Sequence, residues 1–152
     1  MEMKDMTLEA FCAATASNEP APGGGSVSAL AGALAAALAE MVARLTIGKK
    51  GCEEAADEMK EIIPRAAALR AELLDEITRD STSFSAYMEA LSLPKDTDEQ
   101  KDIRRRAMQE ALKKAAEVPL HVAVTAAKIM PMAAALVKKG NPNAVTDGIV
   151  AA

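Results

Sequence analysis

Pro22-Gly23-Gly24-Gly25-Ser26 is the stretch around which this chain is organised, and the alanine-rich run 27–43 follows it directly. Three successive glycines disfavour a helix, whereas the alanines and leucines after them are strong helix formers. The pattern therefore predicts a helix that begins near Ser26, with Ser26 as its N-cap. A glycine-rich turn before a helix exposes backbone N–H groups that suit a carboxylate, a phosphate or a polarised carbonyl. The stretch predicts an anion or heterocycle cradle, but glycines that only turn the chain explain it equally well.

The size and composition of the chain indicate one all-helical domain over residues 1–152. Hydrophobic side chains make up 50% of the sequence but aromatic ones only 2%, so the core must consist of aliphatic side chains and methionine. Apolar residues recur every three or four positions through most of the chain, and no segment alternates as a strand does. We predict an all-α bundle of about five helices.

The charge and cysteine content exclude several classes of protein. A net charge of -4 with both signs interspersed argues against nucleic acid or an anionic membrane as the partner. Cys12 and Cys52 form neither a disulfide framework nor a zinc pattern, which fits a reducing cytoplasm. The run 27–43 is shorter than the roughly 20 residues of a membrane span. We therefore interpret this run as a core helix enclosed on nearly all sides by other helices.

Helix boundaries are marked by capping residues. Thr7 is the predicted N-cap of a first short helix, and Thr97 with Gln100 forms a capping box at the start of a later one. The apolar spacing extends this later helix to about Lys139, with kinks at its prolines.

One carboxylate, Asp80, interrupts the apolar stripe of the helix predicted over residues 53–91. Asp80 lies three residues after Ile77 and four before Phe84, on the face that is predicted to contact the core. A carboxylate there needs a hydrogen-bond partner, or else it binds a proton more readily and becomes available for proton transfer. The spacing leaves both a structural and an acid/base role open.

Three further groups of polar residues have both a structural and a functional interpretation. Lys49 and Lys50 form a basic turn that is either a solvated loop or a contact for a carboxylated ligand. His121, the only histidine, is interpreted as a hydrogen-bond partner and not as a ligand or base. The segment 141–143 and Asp147 offer paired donors and acceptors for a flat heterocycle, although helix capping explains them equally well.

Taken in order, the motifs of the chain resemble those of the cyclodeaminase/cyclohydrolase family. This family includes the C-terminal domain of formiminotransferase-cyclodeaminase and the stand-alone methenyltetrahydrofolate cyclohydrolases. The similarity spans almost the whole chain and is carried by Pro22-Gly23-Gly24-Gly25-Ser26, Leu45-Thr46-Ile47-Gly48-Lys49-Lys50, Asp80 with Phe84, Leu93-Pro94-Lys95 and Gly140-Asn141-Pro142-Asn143-Ala144-Val145-Thr146-Asp147.

The resemblance implies a helical domain that forms a homodimer and binds tetrahydrofolate near the subunit contact. Two reactions are implied: formimino-tetrahydrofolate closing to methenyl-tetrahydrofolate with loss of ammonia, or methenyl-tetrahydrofolate hydrolysed to 10-formyl-tetrahydrofolate. Neither reaction is expected to need a metal or a cofactor beyond the tetrahydrofolate substrate.

The resemblance also assigns site residues. Asp80 matches the position of the family's catalytic carboxylate. The residues expected to bind substrate are Gly24, Gly25, Ser26, Lys49, Lys50, Asn141, Asn143 and Asp147, with the two lysines suited to the glutamate tail of folate.

Two departures limit what the resemblance implies, and one of them, the missing last helix, favours a rival interpretation. Thr146 stands where a serine is common, and the sequence ends at Ala152, where the family pattern continues through a further long helix. The resemblance therefore implies that the last helix is missing from this sequence. The rival is a non-catalytic helical oligomerisation module, in which the alanine-rich helix is an interface and the glycines are a hinge.

Overall fold

A computed structural model describes residues 2–152 as six α-helices linked by turns. The helices are α1 Leu8–Thr15, α2 Gly24–Thr46, α3 Ala56–Ser92, α4 Asp98–Ala127, α5 Ile129–Lys139 and α6 Val145–Val150. Short 3-10 helices lie at Met3–Asp5, Glu53–Ala55 and Pro142–Ala144. No residue from 2 to 152 lies in a strand, so the predicted all-α fold class is confirmed.

Hydrogen bonds confirm the predicted caps at Thr7 and Thr97. Thr7 Oγ1 accepts a hydrogen bond from the backbone N–H of Ala10 at 3.1 Å. At the start of α4, the Gln100 N–H donates to Thr97 Oγ1 at 3.2 Å, and the Thr97 N–H donates back to Gln100 Oε1 at 3.1 Å. The helix predicted to run on to about Lys139 is instead interrupted at Lys128, which separates α4 from α5.

The contacts between residues divide the chain into two compact units. Unit 1 contains the described residues up to Ser28 together with residues 75–122, and unit 2 contains residues 29–74 and 123–152. Each unit therefore combines two separate stretches of sequence. That residues 1–152 form one domain stays a prediction.

The core of unit 2 is built from small and aliphatic side chains. Fully buried residues on α2 and α3 are Ala36, Ala39, Val42, Ala43, Met59, Ala66 and Leu73. At Gly32, an added Cβ would lie 3.2 Å from Leu73 Cδ1, which is tighter than an ordinary contact. The small residues of α2 therefore allow the close helix packing that a core without large aromatic side chains requires.

The opposite face of α2 is exposed, so the prediction that other helices enclose it on nearly all sides is wrong. Leu34 is 54% exposed and Leu45 is 50% exposed. By length and composition alone, α2 and the stretch Asp98–Lys139 are long and apolar enough to cross a membrane. The core helix of a soluble protein can have the same length and composition. Only 44% of the most apolar segment of α2 is buried, because most of its alanines face inward while several larger side chains face outward.

The apolar stripe of α3 is buried only up to Ile77. From Met59 to Ile77 its members are at most 9% exposed, whereas Phe84 is 36% and Met88 is 46% exposed. The prediction that the stripe still contacts the core at Phe84 is therefore wrong. Periodicity identifies the apolar face of a helix but does not say how far along the helix that face is covered.

A buried carboxylate in unit 2, Glu40, binds two arginines. Its Oε1 accepts from Arg44 Nη2 at 2.7 Å and Nε at 3.2 Å, and its Oε2 accepts from Arg70 Nε and Nη2, both at 3.2 Å. The Arg44 hydrogen bonds, aided by Arg70, hold the pKa of Glu40 below its ordinary value against the opposing effect of burial.

We expect Glu40→Gln to destabilise the protein by about 1–2 kcal/mol at neutral pH, because charge-assisted hydrogen bonds to a buried carboxylate are lost. The pKa of Glu40 is lower in the folded chain, so its contribution is present above the unfolded value, near 4.5, and is lost as the pH falls through the folded value. Thermal unfolding should show a gap between parent and variant that closes in acid. A gap that does not change with pH would contradict this assignment.

Candidate active site

Asp80 and Ser26 meet in unit 1, where α3 contacts the first turn of α2. The Ser26 backbone N–H and its hydroxyl Oγ both donate to the same atom, Asp80 Oδ2, each at 2.8 Å. Ser26 is fully buried, whereas Asp80 is half-buried. No residue in the described part of the chain donates a hydrogen bond to Oδ1 of Asp80. The carboxylate therefore has one oxygen held by two hydrogen bonds and one oxygen, Oδ1, without a donor in that part of the chain. Oδ1 is the atom that a methyl group at position 25 would meet first.

The start of α2 differs from the prediction. The helix begins at Gly24, and the Val27 N–H donates to the Gly23 carbonyl at 3.1 Å, so Ser26 lies within the first turn and is not the N-cap. N–H groups in a first helical turn lack partners within the helix. Asp80 accepts the N–H of Ser26 from outside, at the positive end of the helix dipole. Asp80 on α3 thus stabilises a helix start that includes Gly24 and Gly25, although glycine disfavours a helix.

The contact requires glycine at position 25. A methyl group there would overlap the Asp80 carboxylate, with the added Cβ 2.5 Å from Asp80 Cγ. A methyl group at Gly24 would meet nothing within 4 Å. Of these two predicted site residues, Gly25 is therefore the one whose missing side chain makes room for Asp80.

Of the residues predicted to bind substrate, Asn141 has a structural role in unit 2. Its backbone N–H donates to Thr46 Oγ1 at 2.9 Å, and its side-chain Nδ2 donates to the Leu45 carbonyl at 3.1 Å. Its Oδ1 accepts from the Asn143 N–H at 3.0 Å. These bonds attach the segment after α5 to the C-terminal end of α2. A ligand contact by Asn141 stays a prediction.

The other predicted substrate contacts in unit 2 are accessible. Lys50 and Asn143 are exposed, while Lys49 and Asp147 are half-buried. The basic turn of the two lysines lies between Gly48 and Gly51, whose φ values of 76° and 86° favour glycine. Their contact with a ligand stays a prediction.

Sequence reasoning missed a second buried carboxylate in unit 1, Glu76. Glu76 is 5% exposed, and its Oε1 accepts from Arg79 Nη1 at 3.0 Å. His121 Nε2 lies 3.6 Å from the same oxygen, and its role as a hydrogen-bond partner stays a prediction. The other oxygen, Oε2, is buried without a hydrogen-bond partner. The signal available in the sequence was that Glu76 lies three residues after Leu73, a member of the buried stripe of α3.

The largest described cavity of unit 1 does not include Asp80. This cavity has a volume of about 660 Å³ and is lined by residues of the N-terminus, α3 and α4, among them Thr78, Arg79 and Lys114. Among residues 2–152, no group of three His, Cys, Asp or Glu side chains is arranged to hold a metal ion. The Asp80 site therefore combines a helix N-terminus with a half-buried carboxylate whose Oδ1 has no donor among the described residues, an arrangement that suits proton transfer to and from a bound molecule.

A family model described as formiminotransferase-cyclodeaminase matches residues 7–152. The chain belongs to this formiminotransferase-cyclodeaminase family. The resemblance of its motifs is thereby confirmed, and the match covers both units.

Individual members of the formiminotransferase-cyclodeaminase family agree with this assignment. The chain is 41% identical over 145 residues to a methenyltetrahydrofolate cyclohydrolase of Methylorubrum extorquens, covering 95% of this chain and 70% of that protein. It is 38% identical over 148 residues to the formimidoyltransferase-cyclodeaminase of Mus musculus, covering 97% of this chain but only 27% of the mouse protein.

A solved structure shares the fold. The crystal structure of a formiminotetrahydrofolate cyclodeaminase from Thermotoga maritima is 34% identical, with a TM-score of 0.84. The similarity covers 99% of this chain and 71% of the Thermotoga chain.

Gly24 and Gly25 offer a matched test of the site geometry. Gly24→Ala should stabilise the protein by up to about 1 kcal/mol, because alanine is the better helix former. Gly25→Ala should destabilise it, because the new methyl group displaces the Asp80 carboxylate from Ser26. Thermal unfolding of both variants measures the difference. Equal effects of the two substitutions would contradict the observed packing of Asp80.

Proposed function

We propose that this chain is a folate one-carbon enzyme of the cyclodeaminase/cyclohydrolase type. Its family and the names of its relatives support this proposal. The structural observation that carries it is the Asp80 carboxylate, which has one oxygen held by Ser26 and the other without a donor among the described residues. Such a group can take up a proton and return it without a change in the surrounding fold.

In cyclodeamination, N10 of formimino-tetrahydrofolate attacks the formimino carbon. The new N10–carbon bond forms, the bond between that carbon and the imino nitrogen breaks, and ammonia leaves. The formimino group is basic and enters protonated, as –CH=NH2+, so N10 must lose one proton and the departing nitrogen must gain one to leave as ammonia. Oδ1 of Asp80 would accept the first proton and deliver it to the leaving group.

In hydrolysis, water attacks the methenyl carbon between N5 and N10. Asp80 would accept a proton from this water and return it to N5 as the bond from the carbon to N5 breaks. The remaining hydroxyl proton would leave to solvent as the formyl C=O of 10-formyl-tetrahydrofolate forms. Both reactions need an acid/base group beside the same one-carbon bridge. One carboxylate can therefore act as the acid/base group in either reaction, and the proposal covers both reactions.

The proposal includes no cofactor beyond the tetrahydrofolate substrate, because proton transfer by a carboxylate accounts for each bond that forms or breaks. We also propose a cytoplasmic location. Cys12 and Cys52 are both free thiols, which fits a reducing compartment.

We further propose that the chain acts as a homodimer, supported by the exposed face of α2. Along this face Ala31, Leu34, Leu38, Met41 and Leu45 follow one another at alternating intervals of three and four residues. This spacing is that of a coiled-coil seam, in which apolar side chains pack between two helices. A second copy of the chain would bury Leu34 and Leu45, which are at least half exposed in the single chain.

Replacement of Asp80 by asparagine tests the catalytic assignment. Asparagine keeps the shape of the side chain and can accept the Ser26 N–H, but it cannot carry the transferred proton. We expect Asp80→Asn to lower kcat by about 10²–10⁴-fold with either folate substrate, measured by the absorbance of methenyl-tetrahydrofolate. The control is Asp75→Asn, which should retain turnover. Asp75 is an exposed carboxylate on the same helix and forms an ion pair with Lys4.

Turnover that survives Asp80→Asn would remove Asp80 from the proposal. A parent chain that binds no folate and turns over neither substrate would instead favour the non-catalytic oligomerisation module.

A charge in the seam of α2 tests the homodimer. Leu34→Glu should convert a dimer to a folded monomer, because like charges would face each other across the seam. Sedimentation velocity measures the mass, and Leu112→Glu on α4, also an exposed leucine, is the control. A parent chain that sediments as a monomer, or a variant that stays dimeric, would contradict the proposed interface.

A further inference from the structure

We infer that Ser26 is a positioning residue that directs proton transfer to Oδ1 of Asp80. The inference rests on the proposed function and concerns the same carboxylate. Because Ser26 is fully buried, we assign it a role that it carries out through Asp80 and not through direct contact with the substrate.

The backbone N–H of Ser26 is a fixed donor. It belongs to the first turn of α2, so it cannot rotate away from Asp80 Oδ2, which lies 2.8 Å from the nitrogen. A proton on Oδ2 would point at this N–H or displace its hydrogen bond, leaving a donor without an acceptor. Oδ1 has no donor in the described part of the chain. The proton therefore binds Oδ1, which leaves the hydrogen bond from the Ser26 N–H to Oδ2 in place.

The hydroxyl of Ser26 is a mobile donor with two acceptors within reach. Its Oγ lies 2.8 Å from Asp80 Oδ2 and 3.3 Å from the backbone carbonyl of Ile77, yet the hydroxyl has a single proton to donate. Ile77 is 2% exposed, so no bulk water competes for this proton. The hydroxyl can therefore donate its proton in either of two directions, to Asp80 Oδ2 or to the Ile77 carbonyl.

These two directions match the two protonation states of Asp80. While the carboxylate is ionised, Oδ2 is the stronger acceptor and receives the hydroxyl proton. Once Oδ1 has accepted a proton, Oδ2 becomes a neutral carbonyl oxygen, and the hydroxyl can turn to the Ile77 carbonyl. Neither state leaves a buried hydroxyl unsatisfied, so Asp80 can gain and lose a proton with little rearrangement of its surroundings.

The test compares Ser26→Ala with Ser28→Ala. Ser26→Ala removes the mobile donor but keeps the backbone N–H that fixes Asp80, so this variant should fold. Ser28 is the matched control, because it lies on the same helix and its hydroxyl donates to the Gly24 carbonyl at 2.8 Å without contacting Asp80. The measurements are thermal unfolding, kcat and KM across a pH series, and a ¹³C NMR titration of the Asp80 carboxyl group.

For Ser26→Ala we expect kcat to fall about 10-fold and KM to stay within about twofold of the parent, because a hydrogen bond to the charged carboxylate is lost without loss of a substrate contact. The acid limb of the pH–rate profile and the NMR titration midpoint should both move to higher pH, because a donor to the charged carboxylate is lost. Ser26→Thr retains the hydroxyl and should return kcat towards the parent value. Ser28→Ala should match the parent in every measurement.

A variant Ser26→Ala that lowers only the unfolding temperature, with the parent's kcat and pH profile, would overturn the inference and leave Ser26 a packing residue. If the parent turns over neither folate substrate, the proposed function fails separately. The NMR titration still decides the inference in that case, because an unchanged Asp80 midpoint in Ser26→Ala would contradict it.

Discussion

The paired hydrogen bonds from Ser26 to Asp80 are the interaction on which the candidate site depends. A helix that starts in glycines has N–H groups without partners, and a carboxylate on a partly covered helix face needs donors. Each group supplies what the other lacks, at 2.8 Å for both bonds. Gly25 makes the approach possible because any side chain there would overlap the carboxylate. One contact thus fixes the start of α2 and orients the group proposed to carry out the chemistry.

The alanine-rich helix α2 serves a second purpose because its two faces differ. Its small inward-facing residues let α3 pack closely in unit 2, as at Gly32 against Leu73. Its larger outward-facing residues, among them Leu34 and Leu45, stay exposed in the single chain. A helix that is apolar all round in sequence can thus be half core and half unpartnered surface. The proposed homodimer follows from this division.

Much of the fold was predictable from local sequence, because capping and helical spacing act over a few residues. The caps at Thr7 and Thr97 and the turn after Lys139 follow from residue type. The start of α2 at Gly24 was not predictable, because its acceptor lies 54 residues away on another helix. The exposure of Phe84 was not predictable either, because periodicity does not reveal what covers a face. Asp80 stood out as a polar residue on an apolar stripe, whereas Glu76 at the edge of that stripe did not.

The central claim is that this chain changes the one-carbon unit of tetrahydrofolate, and one measurement tests it most directly. The methenyl-tetrahydrofolate absorbance band would be followed after the parent chain is mixed with formimino-tetrahydrofolate and, separately, with methenyl-tetrahydrofolate. Growth of the band in the first mixture would identify a cyclodeaminase, and accelerated loss in the second a cyclohydrolase. We predict that at least one rate exceeds the buffer control. Rates equal to the control in both mixtures would contradict the claim.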